Sequence, residues 1–142
     1  MVDQRVYQLR DDISRIPEIT LAYVFGSVAS ETANASSDLD IGIFTSNCIE
    51  KNHAGLFKLR MVDFFVSRLK LDRVDVIIMD YAPVTLNFEI IKPNCLIFSR
   101  DESTRIDFEH YIMSRYLDRR YYDLRHAALV RHEVLERGLA SR

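Results

Sequence analysis

FGSVASETANASSDLDIGIF, residues 25–44, is the stretch whose two ends decide how the chain folds. Its first residue closes the apolar run Leu21-Ala22-Tyr23-Val24-Phe25, which reads as a strand stopping on Gly26-Ser27. Its last seven, Asp38-Leu39-Asp40-Ile41-Gly42-Ile43-Phe44, carry a second strand, about Leu39 to Phe44. Side chains alternate along a strand, so Asp38 and Asp40 share one face while Leu39, Ile41 and Ile43 point into a core. Two carboxylates so placed lie ~6.6 Å apart along the backbone and can converge on hard cations. Without a cation they repel. A lone Asp-x-Asp is as readily a polar turn leading into a strand.

Gly26-Ser27 shifts that balance. A glycine at a strand end lets backbone approach a ligand, and Ser27 can open a short helix whose free amides face an anion. By itself Gly-Ser would again be a turn. A third carboxylate, Asp75, stands in the strand Arg73-Val74-Asp75-Val76-Ile77-Ile78-Met79, flanked by β-branched residues. A charge in a mostly buried strand needs a metal or an ion pair. Asp75 is therefore expected to join Asp38 and Asp40 at a metal, the alternative being a salt bridge to Arg60 or Arg68.

Gly26-Ser27, ten intervening residues and Asp38-Leu39-Asp40, with Asp75 as third carboxylate, resemble the signature of the nucleotidyltransferase superfamily related to DNA polymerase β. The resemblance implies an α/β (α+β) nucleotidyltransferase fold: a small mixed β-sheet flanked by helices, with a helical C-terminal tail. It extends to the MntA-type antitoxins of HepT/MntA toxin–antitoxin pairs through Tyr81-Ala82-Pro83, Phe88-Glu89-Ile90-Ile91, Arg105, Phe108-Glu109 and Tyr116-Leu117-Asp118. That likeness implies transfer of AMP from ATP to a tyrosine of a HEPN-domain ribonuclease toxin, in a hetero-oligomer with it. Asp38, Asp40 and Asp75 would be the catalytic residues and hold two Mg2+, and Gly26 and Ser27 would cradle the β- and γ-phosphates. The pattern departs at Val28-Ala29-Ser30-Glu31, where many relatives carry a basic, glycine-containing run.

Outward from the motif, 142 residues at 48% hydrophobic give one domain with a core: about 1–100 catalytic and 101–142 tail. A net charge of −2 is a poor match to a nucleic-acid backbone, so no direct nucleic-acid partner is expected. Cys48 and Cys95 show neither metal-ligand spacing nor a disulfide framework, and the four histidines show no metal pairing. With no signal peptide and no apolar run near ~20 residues, a cytoplasmic protein without a membrane span is expected.

Val6, Leu9, Ile13 and Ile16 predict one helix over 2–16, ended by Pro17. Ser30 to Ser37 is a loop that could fold over nucleotide. Leu56, Leu59, Val62, Val66 and Leu69 predict a crossover helix that brings Asp75 beside Asp40. Pro83 opens a short helix over 84–92, and 95–98 forms an edge strand. From Ser103 to Arg137 the chain is one long helix, or two joined near Arg119-Arg120. Its interleaved arginines and tyrosines suit a protein interface, the alternative being a solvated face with intrahelical ion pairs.

Two further functions stay open on the residues: an antitoxin that neutralises by contact alone, and a nucleotidyltransferase acting on a small molecule or RNA. Against the second, the chain has no spare length for an acceptor-binding domain. Neither Gly-rich fingerprint of Rossmann or P-loop sites is present.

Overall fold

The computed structural model describes residues 4–26 and 39–140. Ser27, Asp38 and the 30–37 loop lie outside the described residues. The elements run α1 (Gln4–Tyr7), α2 (Arg10–Ser14), β1 (Leu21–Phe25), β2 (Leu39–Phe44), a 3₁₀ turn (Lys51–His53), α3 (Ala54–Leu69), β3 (Val74–Ile78), α4 (Val84–Ile91), β4 (Leu96–Ser99) and α5 (Glu102–Ala140). The strands form one mixed sheet in the order β3-β2-β1-β4. β1 is antiparallel to both β2 and β4, and β2 is parallel to β3. A parallel pair needs a crossover, which α3 supplies.

Alternation along the strands splits the core in two. Val24, Ile41, Ile43 and Val76 face α1, α2 and α3, where they meet Ile13, Phe57 and Phe65. Leu21 and Tyr23 face the other way, toward Ile90 of α4 and Ile112 of α5. Each fully buried large apolar side chain contributes about 1.5–3 kcal/mol, so a sheet covered on both faces is well anchored. Gly42 sits where α4 comes closest: a Cβ there would lie 2.6 Å from Ile90 Cγ2.

Two expectations need correction. The single helix over 2–16 is two short ones, α1 and α2, hitched at Leu9, whose amide bonds back to the Val6 carbonyl three residues earlier. The second piece ends at Ser14, with Arg15 as its C-cap and Pro17 two residues further on. In α3 the apolar series chosen from the sequence is only partly on the buried face: Leu56 and Leu59 are 71% and 66% exposed, Val62 and Val66 are half-buried, and Leu69 is buried together with Phe57, Met61 and Phe65. Two overlapping apolar series run along that helix, and the sheet takes the bulkier one. The tail, read as one long helix or two, is one unbroken helix.

The start of α5 is pinned. Asp101 accepts hydrogen bonds from the Thr104 hydroxyl at 2.6 Å and the Ser103 amide at 3.3 Å, satisfying a donor the helix leaves open. Phe108 then stacks on Phe44 of β2, and Tyr116 stacks on Phe88 of α4, each with centroids 3.8 Å apart.

Candidate active site

The site forms where β1, β2 and β3 meet at one end of the sheet. β2 and β3 run in register, so that Asp40 is the direct neighbour of Asp75. Parallel strands are about 4.8 Å apart, and paired residues present their side chains on the same face. That face carries Asp40, Gly42 and Phe44 of β2 together with Asp75 and Ile77 of β3, and α4 and α5 cover its far end. The crossover thus places Asp75 beside Asp40, as the strand–helix–strand pattern implied.

Gly26 closes the third side. Phe25 pairs with Asp40, and the next residue, Gly26, has φ +77, a left-handed conformation favouring glycine. A Cβ at Gly26 would overlap Asp40 Oδ2. The glycine is therefore required twice, by its backbone angle and by the space its missing side chain leaves beside the carboxylate. Of the five residues picked from the sequence, Gly26, Asp40 and Asp75 are thus brought together, and Ser27 and Asp38 lie outside the described residues.

The burial argument for Asp75 does not hold. β3 is an edge strand, and the Asp75 side chain is 57% exposed. Its ion-pair partner is Lys58 of α3, at 3.8 Å, rather than either expected arginine. Arg60 pairs with Glu18 at 3.6 Å and Arg68 with Asp12 at 2.9 Å. An exposed pair of this length contributes little to stability. Asp75 is placed for solvent, or for a cation, rather than for the core.

Hard carboxylate oxygens on adjacent strands suit a magnesium-sized cation. The absent side chain at Gly26 lets Asp40 Oδ2 come up against the backbone there. Among the described residues no cluster of three or more potential metal ligands occurs.

Two features of this face were not legible in the sequence. Tyr23, buried on β1, donates to Glu109 Oε1 at 2.8 Å, and Glu109 also accepts from Arg105 at 3.0 Å. Burial first, and the Glu109 carboxylate second, hold the Tyr23 hydroxyl proton well beyond the ordinary phenol range. This group ties α5 to the sheet. The second feature is Asp80, whose carboxylate accepts from the Thr45 amide and hydroxyl, both at 2.9 Å, and from the Asn47 amide at 2.7 Å.

A wide groove of about 1070 Å³ opens beside Asp80, between the Ser46-Asn47 turn and the α5 face carrying Tyr111, Arg115 and Tyr122. It lies at the Phe44 end of β2, four residues or about 13 Å along the strand from Asp40. Asp80 on its rim is already engaged by three donors.

The sequence model of the family "Polymerase beta, Nucleotidyltransferase" matches residues 8–103. No curated protein matches the chain significantly. Among solved structures, a toxin–antitoxin complex with AMP-PNP is similar at 20% identity, covering 81% of this chain and 86% of that one, with a TM-score of 0.60. A MntA-HepT toxin–antitoxin structure is similar at 18% identity, 82% and 88% coverage and a TM-score of 0.61. A complex of the tri-AMPylated Shewanella oneidensis HEPN toxin with its MNT antitoxin is similar at 18% identity, 79% and 87% coverage and a TM-score of 0.55. At these identities the likeness is one of fold.

Proposed function

Since the chain belongs to the polymerase β nucleotidyltransferase family, we propose that it is the antitoxin of a toxin–antitoxin pair and transfers AMP from ATP to a tyrosine hydroxyl of a HEPN ribonuclease toxin. The observation that carries the enzymatic half is the in-register pair Asp40 and Asp75 beside Gly26 at positive φ. The toxin half is supported by the company the fold keeps, which includes an AMPylated HEPN toxin bound to an MNT antitoxin.

In this reading Asp40 and Asp75, with Asp38, hold magnesium, and Gly26 and Ser27 receive the β- and γ-phosphates. Magnesium, when bound, supplies charge neutralisation at the phosphates and favours ionisation of a nearby hydroxyl. That matters because a free phenol has a pKa of ~10 and is a weak nucleophile near neutral pH. Asp75 orients the acceptor: its strand lies at the sheet edge and its carboxylate reaches solvent, where a protein substrate can approach. The acceptor oxygen forms a bond to the α-phosphorus, the bond from that phosphorus to the β-phosphate bridging oxygen breaks, and pyrophosphate leaves. The phenolic proton passes to a carboxylate or to water. The protein forms no covalent intermediate, so its contribution is positioning and electrostatics.

The test is the intact mass of the cognate HEPN toxin after incubation with this protein, ATP and magnesium. A gain of one or more AMP units supports the proposal. An unmodified toxin that is nonetheless silenced in a stable complex would replace it with neutralisation by contact alone.

A further inference from the structure

Resting on the toxin reading above, we propose that the outward face of α5 is the docking surface for the protein partner, and that this partner presents an apolar face edged by carboxylates. α5 carries two apolar faces. The inner one, with Phe108, Ile112 and Tyr116, is spent on the sheet and α4. The outer one is a second series at helical spacing: Ile106, Met113, Leu117, Tyr121, Leu124 and Leu135, every one exposed. At about 100° per residue these six fall on one side of the helix, and the stripe they form is about 44 Å long.

The domain does not account for this face. Every residue from Leu117 through Gly138 is exposed, so α5 beyond Tyr116 extends without support. An isolated helical segment is marginal in water, and its stability ordinarily comes from packing an amphipathic face. An exposed apolar stripe of this length marks an interaction site.

The charges select the occupant. Between Met113 and Arg131 stand five arginines and two aspartates, in a chain of net charge −2. On the helical wheel Arg120 and Arg125 border the stripe and Arg131 falls on its edge, while Asp118 lies beside Arg125 and Asp123 points away. A second copy of this chain would bring arginine against arginine. A nucleic acid would satisfy the arginines and leave the leucines in water. An acidic-rimmed protein surface satisfies both, and arginine beside tyrosine is the composition of interface anchors.

The experiment measures affinity of the full-length chain for its cognate HEPN toxin, comparing wild type with Leu117→Asp/Leu124→Asp and with Arg120→Glu/Arg125→Glu. All four positions are exposed, and helix content by circular dichroism verifies the fold. The leucine variant is expected to lose about 30-fold or more in affinity, as for buried anchors. The arginine variant is expected to lose about tenfold and to flatten the salt dependence. Wild-type affinity in the leucine variant would overturn the α5 assignment while leaving the toxin reading intact. If wild type bound no toxin at all, the toxin reading would fall, and the assignment with it. A wild-type dimer dissociated by the leucine changes would give the stripe to a second copy and overturn the proposal. So would tight binding of a mixed-sequence RNA that the arginine changes abolish.

Discussion

The two ends of one sheet face are built for opposite purposes. At the far end Phe44 is stacked under Phe108, and Asp80 is neutralised by three donors from Thr45 and Asn47. At the near end Asp75 is more than half exposed and meets Lys58 at 3.8 Å, with Asp40 beside it in register. The residue type is the same and the environments differ. A carboxylate surrounded by amide and hydroxyl donors is held by the scaffold, whereas two carboxylates in register on adjacent strands are the kind of pair that suits a hard cation.

Exchanging the two environments tests this contrast hardest. Asp75→Asn should lower AMP transfer about 10²–10³-fold, as for removal of a group that stabilises developing charge, with no loss in the urea midpoint. Asp80→Ala should do the reverse. Two donors of buried Thr45 and one of exposed Asn47 lose their acceptor, at a cost of about 1–3 kcal/mol in urea unfolding, while turnover per folded molecule stays close to wild type.

The two glycines of this face sharpen the comparison. Gly26→Ala places a methyl group into Asp40 Oδ2 and forces φ +77 on an L-residue. Transfer should fall by at least tenfold, and the backbone alone costs about 1–2 kcal/mol. Gly42→Ala, pressed against Ile90 Cγ2 at 2.6 Å and Met79 Sδ at 3.2 Å, should cost about 1–3 kcal/mol in stability through overpacking. Its Michaelis constant for ATP should be unchanged. Initial rates and thermal melts on the same preparations separate the two outcomes.

The smallest effect concerns the strap between α5 and the sheet. The Tyr23 pKa is raised in the fold, so the stability it lends is complete below the unfolded value near 10 and is lost as pH rises beyond it. Wild type should show an alkaline loss of stability that Tyr23→Phe, weakened by about 1 kcal/mol for the missing hydrogen bond, lacks. On the acid side the Thr104 hydroxyl holds Asp101, and Arg105 holds Glu102, below the usual carboxylate range. The first turn of α5 should therefore stay fixed until pH drops through those lowered values, which denaturation at stepped pH would reveal.

Much of the fold was legible because local pattern and global packing agree. The bounds of β1 and β2 are those read from the apolar runs, and the crossover places Asp75 beside Asp40. Gly26 was legible as a glycine at the strand end, but its positive φ was not. What the sequence hid depends on tertiary choice. Two apolar series share α3, and nothing local says that the sheet will take Phe57 and Phe65 over Leu56 and Leu59. Asp75 looked buried because its neighbours are β-branched, yet strand order puts β3 at an edge. Asp80 and Tyr23 find partners 35 and 86 residues away, contacts with no local signal.

The central claim is that the near end of this face is a cation and nucleotide site while the far end is scaffold. Its most direct test is a manganese titration followed by electron paramagnetic resonance, with a non-hydrolysable ATP analogue, on wild type, Asp40→Asn and Asp80→Asn. The account predicts that manganese binds wild type and folded Asp80→Asn alike and that binding weakens at least tenfold in Asp40→Asn. Undiminished binding in Asp40→Asn, or binding that vanishes with Asp80 alone, would contradict it.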